Sequence, residues 1–247
     1  MSIQLYINAC SYDADITTRL PYKPLIKSRK SPASATRAPA GRKAAISRDD
    51  IIAAALKLVG PHRSVSTLSL REVAREADIA PNSFYRHFHD IDELAIALIE
   101  LSGRSLRQII GSARQRASTE RSVVRSSVEA FMEQLGAEGS LLHILLREGM
   151  VGSEAFKQTV ERQLQFFEDE LRIDLIRLAE ANGTGLHEPI LTAKAITRLV
   201  FAIGTTAMDL PREQHPAITD QLELMVRMIV VGTQTMARYA GGASDRA

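Results

Sequence analysis

Five polar side chains in the run 80–89 could contact nucleic acid, because each can donate a hydrogen bond to a base edge or a phosphate. They are Asn82, Ser83, Tyr85, Arg86 and His87. No carboxylate lies in this run to repel a phosphate. A helix enters the major groove with a polar outer face and an anchored inner face, and Phe84 and Phe88 supply the anchor at a spacing of i, i+4. The run therefore predicts a DNA-contacting helix; the alternative is a surface helix of an ordinary bundle.

A fragment of a metal-hydrolase signature, H-x-H-D-x-D, overlaps this run at residues 87–92. Zinc ligands can occur at such spacing. The fragment spans a predicted helix end, lacks a following histidine and has no glycine-rich strand beside it, so we predict no metal site. The sequence also lacks a nucleophile elbow, a phosphate-binding glycine loop and an H-E-x-x-H motif. We therefore predict no enzymatic activity and no cofactor.

The segment around the polar run has the start and stop signals of three short helices. Capping boxes, S-x-x-D at 47–50 and S-x-x-E at 69–72, begin the first two helices. A break at 78–79 precedes Pro81, a favoured first residue of a helix, and so begins the third. The second and third helices, joined by such a tight turn, form a helix-turn-helix that would present the polar run to DNA.

The rest of the chain has the apolar period of helices, and we find no convincing strand or internal repeat. We therefore predict an all-α protein. Asp90 would cap a helix that runs to about 116, and further helices are predicted at about 121–136, 140–148, 153–181, 188–209 and 216–239.

The N-terminal tail is basic, whereas the whole chain of 247 residues has a net charge of only +2. Nine Lys and Arg residues lie within 1–48, against two Asp or Glu. Residues 1–45 also contain four prolines, and we predict that they are disordered. Such a tail favours a polyanionic partner, and Arg42 and Lys43 are candidate minor-groove contacts. A solvated tail that binds nothing specific is the alternative.

The cysteine content and the hydropathy pattern bear on the compartment. Cys10 is the single cysteine, so no intrachain disulfide is possible. No uninterrupted apolar run is long enough to cross a membrane, and the N-terminus lacks the features of a secretory signal. We therefore expect a cytoplasmic protein without a membrane partner.

The run from Thr67 to Phe88, followed by D-E-L at 92–94, resembles the DNA-binding signature of TetR-type transcriptional regulators. This resemblance implies a homodimer that binds palindromic double-stranded DNA. Each subunit would have a helix-turn-helix domain at 46–90, a helical ligand-binding and dimerisation domain at 91–240 and a flexible C-terminus at 241–247.

Residue by residue, the resemblance assigns positions that face DNA and positions that lie near its backbone. The former are Pro81, Asn82, Ser83, Tyr85 and His87, and the latter are Ser69 and Arg71. Two positions depart from the family pattern. Asp78 stands where glycine is common, and because Asp tolerates the left-handed conformation, we expect the turn to survive. Ile91 stands where a phosphate-contacting lysine is frequent, so that contact is lost.

Residues 106–108, 113–116 and 145–148 extend the similarity to repressors of unsaturated fatty-acid biosynthesis within that family. This narrower resemblance implies a long-chain acyl thioester as the ligand and fatty-acid or lipid synthesis genes as the targets. A drug or another apolar ligand is the alternative within the family. A helical lipid carrier or an enzyme is the alternative outside it.

The larger domain has more apolar surface than one amphipathic stripe needs, since Phe166 and Phe167 cannot both face one narrow seam. Some of these side chains could line a cavity between helices, although each could also be ordinary core. The candidates are Phe131, Met132, Leu145, Phe166 and Phe167. Arg147 is a candidate for binding the anionic carrier of an acyl thioester, or for a structural ion pair.

The last two predicted helices have apolar positions suited to a four-helix dimer interface. These positions are Leu199, Ile203, Ala207, Leu222, Met225, Val226 and Ile229. Gly204 and Gly232 would let helix backbones approach closely. Such an interface would supply two recognition helices for a palindromic site, whereas packing within one subunit is the alternative.

Overall fold

The computed structural model describes residues 46–59, 63–117, 123–137 and 141–244. The predicted tail with Arg42 and Lys43 lies outside the described residues, and so does the helix stop predicted at 60–61. The described part is helical and contains no strand, which confirms the predicted all-α fold.

Nine α-helices and two short 3-10 helices make up the described residues. They are α1 (Arg48–Leu58), α2 (Leu70–Glu76), α3 (Pro81–Phe84), α4 (Ile91–Arg116), α5 (Val123–Gly136), α6 (Leu142–Val151), α7 (Glu154–Ala181), α8 (Pro189–Ala207) and α9 (His215–Ser244), with 3-10 helices at Val65–Thr67 and Arg212–Gln214. The 3-10 helices were not predicted, because three residues are too few to show an apolar period.

Side-chain caps begin the first helices, as the sequence predicts. The Ser47 hydroxyl accepts a hydrogen bond from the Asp50 amide, and the Asp50 carboxylate accepts one from the Ser47 amide. Ser69 and Glu72 form the same reciprocal pair at α2, and Asp90 caps α4. These bonds satisfy amides that the first turn of a helix leaves without partners.

The turn between α2 and α3 contains Asp78 in the left-handed conformation, with φ of +52°. This confirms the expectation that Asp can replace glycine there. The third helix is shorter than predicted, because it ends at Phe84 and a turn follows. Phe84 and Phe88 are nevertheless both fully buried, and their ring centroids are 5.6 Å apart. The predicted anchor is therefore present.

Helices α4 to α9 form a bundle in which α7 packs against α4 and α8, and α5 packs against α4 and α9. Two helices extend beyond their approximate predicted ends. Helix α6 continues past Gly149 to Val151, and α9 continues to Ser244, so the domain boundary predicted at 240 falls inside α9. Glycine weakens a helix by about 1 kcal/mol, which is too little to stop a long helix that is already propagating.

One hydrophobic core runs through both ends of the molecule. The first turns of α4 contribute Leu94 and Leu98, which are fully buried beside the helix-turn-helix. Glu148 of α6 is also fully buried, and its Oε1 accepts a hydrogen bond of 2.9 Å from the Val65 amide. The boundary predicted at residue 90 therefore separates segments of the chain but does not separate two cores.

Among the described residues, α8 is the one helix that is long and apolar enough to span a membrane by composition. It packs against α7 and α9, and Ala193, Ile196 and Phe201 are buried in that contact face. A helix in the interior of a bundle meets the same criteria of length and hydropathy.

Candidate DNA interface and ligand cavity

The recognition surface is the outer side of α3 and the turn that follows it. Pro81, Asn82, Tyr85 and Arg86 are exposed, and Ser83 and His87 are partly buried. Tyr85 is 59% exposed, and its ring meets the edge of the buried Phe84 ring at a centroid distance of 5.9 Å. The hydroxyl of Tyr85 therefore lies at the surface, on a side chain that is supported from below.

At the start of α2, Ser69 and Arg71 are both exposed, but they differ in their contacts. The Ser69 hydroxyl donates to the Glu72 carboxylate at 2.9 Å and accepts from the Glu72 amide at 3.3 Å. Hydrogen bonds from Ser69 and then Arg63 hold the pKa of Glu72 below its ordinary value. Ser69 therefore holds the helix start, which leaves Arg71 as the better placed of the two to contact a phosphate.

The junction between α3 and α4 fixes the far edge of this surface. The His89 amide donates to the Glu93 carboxylate at 2.6 Å, and the Arg48 guanidinium lies 4.6 Å from the centre of the Phe88 ring. Ile91 is partly buried and packs against the core, so this position serves packing. In the described part of the chain, no three His, Cys, Asp or Glu side chains form a group that could hold a metal ion.

An apolar cavity of about 90 Å³ lies between α4, α5, α7, α8 and α9. Its lining on α7 runs from Phe167 to Leu178, a length of about 16 Å at 1.5 Å per residue. One end is formed by the rings of Phe131, Phe167 and Phe201, with centroids 5.4 to 5.6 Å apart. The cavity is therefore elongated and has an aromatic end.

Arg114 and Asp174 lie in the wall further along the cavity, and among the described residues they are the only charged ones that line it. The Arg114 Nε is 2.6 Å from the Asp174 Oδ2, and an Arg114 terminal nitrogen is 3.8 Å from Glu170. We define these three residues together with Arg107 and Arg177 as the charged end of the cavity. The sequence reasoning missed this end, although Arg114 continues an inward-facing row of α4, four residues after Ile110.

Two of the six predicted pocket residues, Phe131 and Phe167, line the cavity. Met132 and Leu145 are buried in the core outside its wall. Phe166 is half exposed on the outer surface, where the Arg107 guanidinium lies 4.8 Å from its ring centre. Phe166 does not line this cavity although Phe167 does, because consecutive residues of a helix point about 100° apart.

Arg147 is not at the cavity either, since α6 contributes no residue to its wall. It is partly buried and belongs to the helix whose next residue, Glu148, binds the Val65 amide. The sequence reasoning placed Arg147 at the mouth of the pocket from the resemblance at 145–148, without knowing which face of α6 is turned toward which neighbour.

The predicted dimer residues fall into two groups. Ala207, Leu222 and Val226 are buried within the single chain, and Val226 lines the cavity. Gly204 belongs with this group, because a Cβ there would lie 2.6 Å from the Phe131 ring. These residues pack within the subunit, which is the alternative that the sequence left open. The partly buried group comprises Leu199, Ile203, Met225 and Ile229.

A second apolar face of α9 is exposed, and the sequence reasoning missed most of it. Its members are Leu224, Met228, Val231, Met236 and Tyr239, all more than half exposed. We call these five residues the outer face of α9. Nothing lies within 4 Å of a Cβ built at Gly232, which is also exposed. Leu191 near the start of α8 is exposed as well.

Comparison with known proteins identifies the N-terminal part of the chain. Residues 51–98 match the family model of bacterial regulatory proteins of the tetR family. This segment contains α2, α3, both phenylalanine anchors and the first two turns of α4.

Solved structures resemble most of the described fold at low sequence identity. A TetR-family transcriptional regulator from Streptomyces coelicolor is 14% identical with a TM-score of 0.59, over 76% of this chain and 95% of that one. FadR from Bacillus subtilis in complex with stearoyl-CoA is 13% identical with a TM-score of 0.57, over 70% and 96%. The multidrug binding protein EbrR, complexed with imidazole, is 20% identical with a TM-score of 0.51, over 71% and 93%.

At these identities the structural similarity shows the fold, whereas the family model matches the segment that contains α2 and α3. The two findings agree with the anchored, outward-facing recognition helix described above. Residues 51–98 therefore match the tetR family of bacterial regulatory proteins, and the described chain shares its all-helical fold with solved TetR-family regulators.

Proposed function

We propose that this protein is a homodimeric transcriptional repressor that binds a palindromic operator, and that it is not an enzyme. The observation that supports this most is the exposed Tyr85 on a helix anchored by Phe84 and Phe88. Its neighbours Asn82 and Arg86 are exposed and can donate hydrogen bonds to base edges and phosphates. In this proposal Arg42 and Lys43 extend the contact into the adjacent minor groove.

The outer face of α9 supports the proposed dimer. A contiguous apolar surface of this kind is uncommon on a monomer that stays in water. The same face of a second copy, related by a two-fold axis, would bury it, and α8 and α9 of both subunits would form a four-helix bundle. The partly buried Leu199, Ile203, Met225 and Ile229 would then lie beside this contact. The axis would also relate the two recognition helices that a palindrome requires.

The proposed ligand is a long-chain acyl thioester, and the proposed targets are genes of fatty-acid or lipid synthesis. An elongated apolar cavity suits an acyl chain, and FadR from Bacillus subtilis was solved with stearoyl-CoA. A drug-like ligand is the second candidate, because EbrR is a multidrug binding protein and has the same fold.

The proposed ligand is larger than the cavity, so its binding would change the conformation of the protein. The cavity holds about 90 Å³, whereas an apolar cavity of roughly 150 Å³ accommodates only one benzene molecule. A long acyl chain would therefore have to move the surrounding helices apart. A ligand that prefers this expanded state shifts operator affinity, with an ordinary coupling of about 1–3 kcal/mol.

A gel-shift assay on the promoter of the protein's own gene, at moderate salt, tests the DNA-binding function. A repressor shifts a palindromic fragment, whereas a helical lipid carrier or an enzyme does not. Saturated and unsaturated acyl thioesters are then titrated into a fluorescence-anisotropy assay with the same fragment. An unchanged operator affinity with both thioesters would leave the repressor in place but remove the proposed ligand.

Deletion of residues 1–44 tests the proposed contact of the tail. Each phosphate contact contributes about 0.9 to the slope of log affinity against log salt. Losing Arg42, Lys43 and the other basic residues of the tail should weaken operator binding and flatten that slope by about 0.9 for each phosphate charge that the tail neutralises. An unchanged slope would show that the tail does not contact DNA.

The substitution Met228→Glu tests the proposed interface, because it places a carboxylate in the middle of the outer face of α9. We expect it to shift the protein toward monomer in sedimentation velocity, since a buried unpaired charge costs several kcal/mol. Lys157→Glu, at an exposed position of α7, is the control and should remain dimeric. A dimer that persists in Met228→Glu would place the interface elsewhere.

A further inference from the structure

The charged end of the cavity contains a nearly buried cation in an otherwise apolar wall. The Arg114 side chain is only 9% exposed, yet it lines the same cavity as Phe131 and Phe167. A guanidinium so placed must be paired, because burying an unpaired charge is costly. Its partner is either Asp174 or an anion that enters the cavity.

Asp174 pairs with Arg114 by proximity and not by a well-aligned hydrogen bond. The Arg114 Nε lies 2.6 Å from the Asp174 Oδ2, but its N–H has no hydrogen-bond partner in the described part of the chain. Charge-assisted hydrogen bonds gain much of their strength from alignment. The pair therefore leaves the Nε–H of Arg114 open to a better-aligned acceptor.

Asp174 also has a second cation on its other side. Its Oδ1 accepts a hydrogen bond of 3.4 Å from Arg177, which is largely exposed to solvent. Asp174 could thus leave Arg114 and remain paired. Across the charged end, three guanidinium groups of Arg107, Arg114 and Arg177 face two carboxylates of Glu170 and Asp174. One positive charge is left over, and it favours an incoming anion.

We infer that Arg114 binds the anionic head group of the cavity ligand, and that Asp174 then keeps Arg177 as its partner. The shared chemistry is an oxygen anion on an apolar chain, either the carboxylate of a free fatty acid or a phosphate of an acyl-coenzyme A. This inference rests on the proposed ligand-binding function. It assigns to Arg114 the head-group role that the sequence reasoning gave to Arg147.

A cationic ligand is the opposite possibility, in which the ligand replaces Arg114 beside Asp174. The surplus positive charge of the charged end disfavours this arrangement. The two possibilities predict opposite effects of neutralising Asp174, and this makes Asp174→Asn the decisive variant.

Isothermal titration calorimetry of the full-length protein tests the inference with four ligands of equal chain length. They are decanoate, decanoyl-coenzyme A, the neutral 1-decanol and decyltrimethylammonium. Wild-type protein should bind at least one of the two anionic ligands more tightly than decanol. Arg114→Met should weaken that anionic ligand by about tenfold or more and leave decanol unchanged, whereas Asp174→Asn should tighten it, because a competing carboxylate is gone.

Matched controls separate these effects from a general loss of charge. Arg104→Met on α4 and Asp169→Asn on α7 change the same residue types at exposed positions that do not line the cavity, and they should bind all four ligands nearly as wild-type does. If Arg114→Met does not fold by circular dichroism, Asp174→Asn still decides the question, since it replaces a carboxylate by an amide of the same shape.

The outcomes distinguish a free fatty acid from an acyl-coenzyme A as the source of the anion. They also distinguish failure of this inference from failure of the proposed repressor function. Arg114-dependent binding of decanoate identifies the free acid, and Arg114-dependent binding of decanoyl-coenzyme A alone identifies the carrier phosphate. Equal binding of decanol and both anions, tighter binding of the cation, or no binding of any ligand would overturn the inference. Operator binding, measured separately, shows whether the proposed repressor function stands in each case.

Discussion

The head (46–90) is shaped mainly by local side-chain hydrogen bonds, with an exposed ion pair, Lys57–Glu76, between its first two helices, whereas ion pairs between helices are more numerous in the helical body (91–244). In the head, the capping boxes at 47–50 and 69–72 join residues three positions apart in the chain. In the body, Arg198 of α8 binds two glutamates of α7, Glu161 and Glu168, which lie 37 and 30 positions away. Local bonds fix the shape of single helices, whereas bonds between helices fix their spacing.

This difference suits the two tasks proposed for the molecule. A recognition helix must keep one geometry, and the capped helices α1 and α2, together with the buried anchors Phe84 and Phe88, hold α3 in place. A ligand sensor must have helices whose spacing can change, and ion pairs can change partners as helices move. Arg198 is a strong example of such a pair: its hydrogen bonds with Glu161 raise the pKa of Arg198 and lower that of Glu161.

The largest predicted difference between head and body is in the free energy of unfolding after an aromatic ring is removed from each. Phe84→Ala should lower the free energy of unfolding by about 3–5 kcal/mol, because Phe84 is fully buried in the head. Phe166→Ala makes the same chemical change on the half-exposed surface of α7 and should cost much less. Chemical denaturation followed by circular dichroism measures both variants. Equal losses would mean that the head is not held by its anchor.

Tyr85→Ala should weaken operator binding by about 1–3 kcal/mol without lowering the stability of the protein. The reason is that Tyr85 is 59% exposed, so its ring contributes little to the core, while its hydroxyl can reach DNA. Fluorescence anisotropy measures the affinity, and thermal unfolding serves as the stability control. A wild-type footprint on the operator would contradict the role proposed for Tyr85.

A substitution at Glu148 tests whether head and body are as separate as their polar contacts suggest. Glu148→Ala leaves the buried Val65 amide without its acceptor, which should cost about 1–3 kcal/mol. Glu148→Gln retains an acceptor oxygen and should cost less. Hydrogen exchange at the Val65 amide reports the bond directly, and similar exchange in both variants would show that this bond does not join the two parts.

The smallest predicted effect is the acid sensitivity of the head. Hydrogen bonds from Ser47 lower the pKa of Asp50 from 3.8, and those from Ser69 and Arg63 lower that of Glu72 from 4.5. A lowered pKa gives stability that is present above the unfolded value and is lost as the pH falls through the folded value. We expect only a slight loss, since both carboxylates lie near the surface.

Ser69→Ala is the matched variant for this measurement. It removes the main cause of the lowered pKa of Glu72 and should reduce the acid-dependent part of the unfolding free energy. Denaturant titrations of both proteins above and below pH 4.5 measure the difference. Parallel pH profiles would mean that the box at 69–72 does not contribute to acid sensitivity.

The range of the contacts also explains how much of the structure the sequence could predict. The caps, the left-handed Asp78 and the anchor Phe84 depend on neighbours within a few residues, so their patterns could be recognised. The surroundings of Arg114 depend on the carboxylates of α7 as much as on its own helix. Knowing the helix bounds gives the faces of α4, but not which face meets a cavity.

Helix α9 also shows that the sequence does not reveal which face of a helix is turned toward the bundle. Helix α9 has two apolar faces, and the sequence reasoning assigned Val226 of the inner face to the dimer. The structure buries Val226 within its own chain and exposes Met228. Both residues are apolar and two positions apart, so periodicity alone could not decide which of them faces the bundle.

The hydrogen bond that the Val65 amide donates to Glu148 limits how the head can be exchanged between regulators. A chimaera that joins a foreign head at residue 90 would lose the fit between that head and α6, as well as the packing around Leu94 and Leu98. The transplanted head would meet a buried carboxylate with no matching amide. A graft that also transfers the first two turns of α4, and replaces Glu148 with the donor's residue at that position, is expected to keep both the polar contact and the packing.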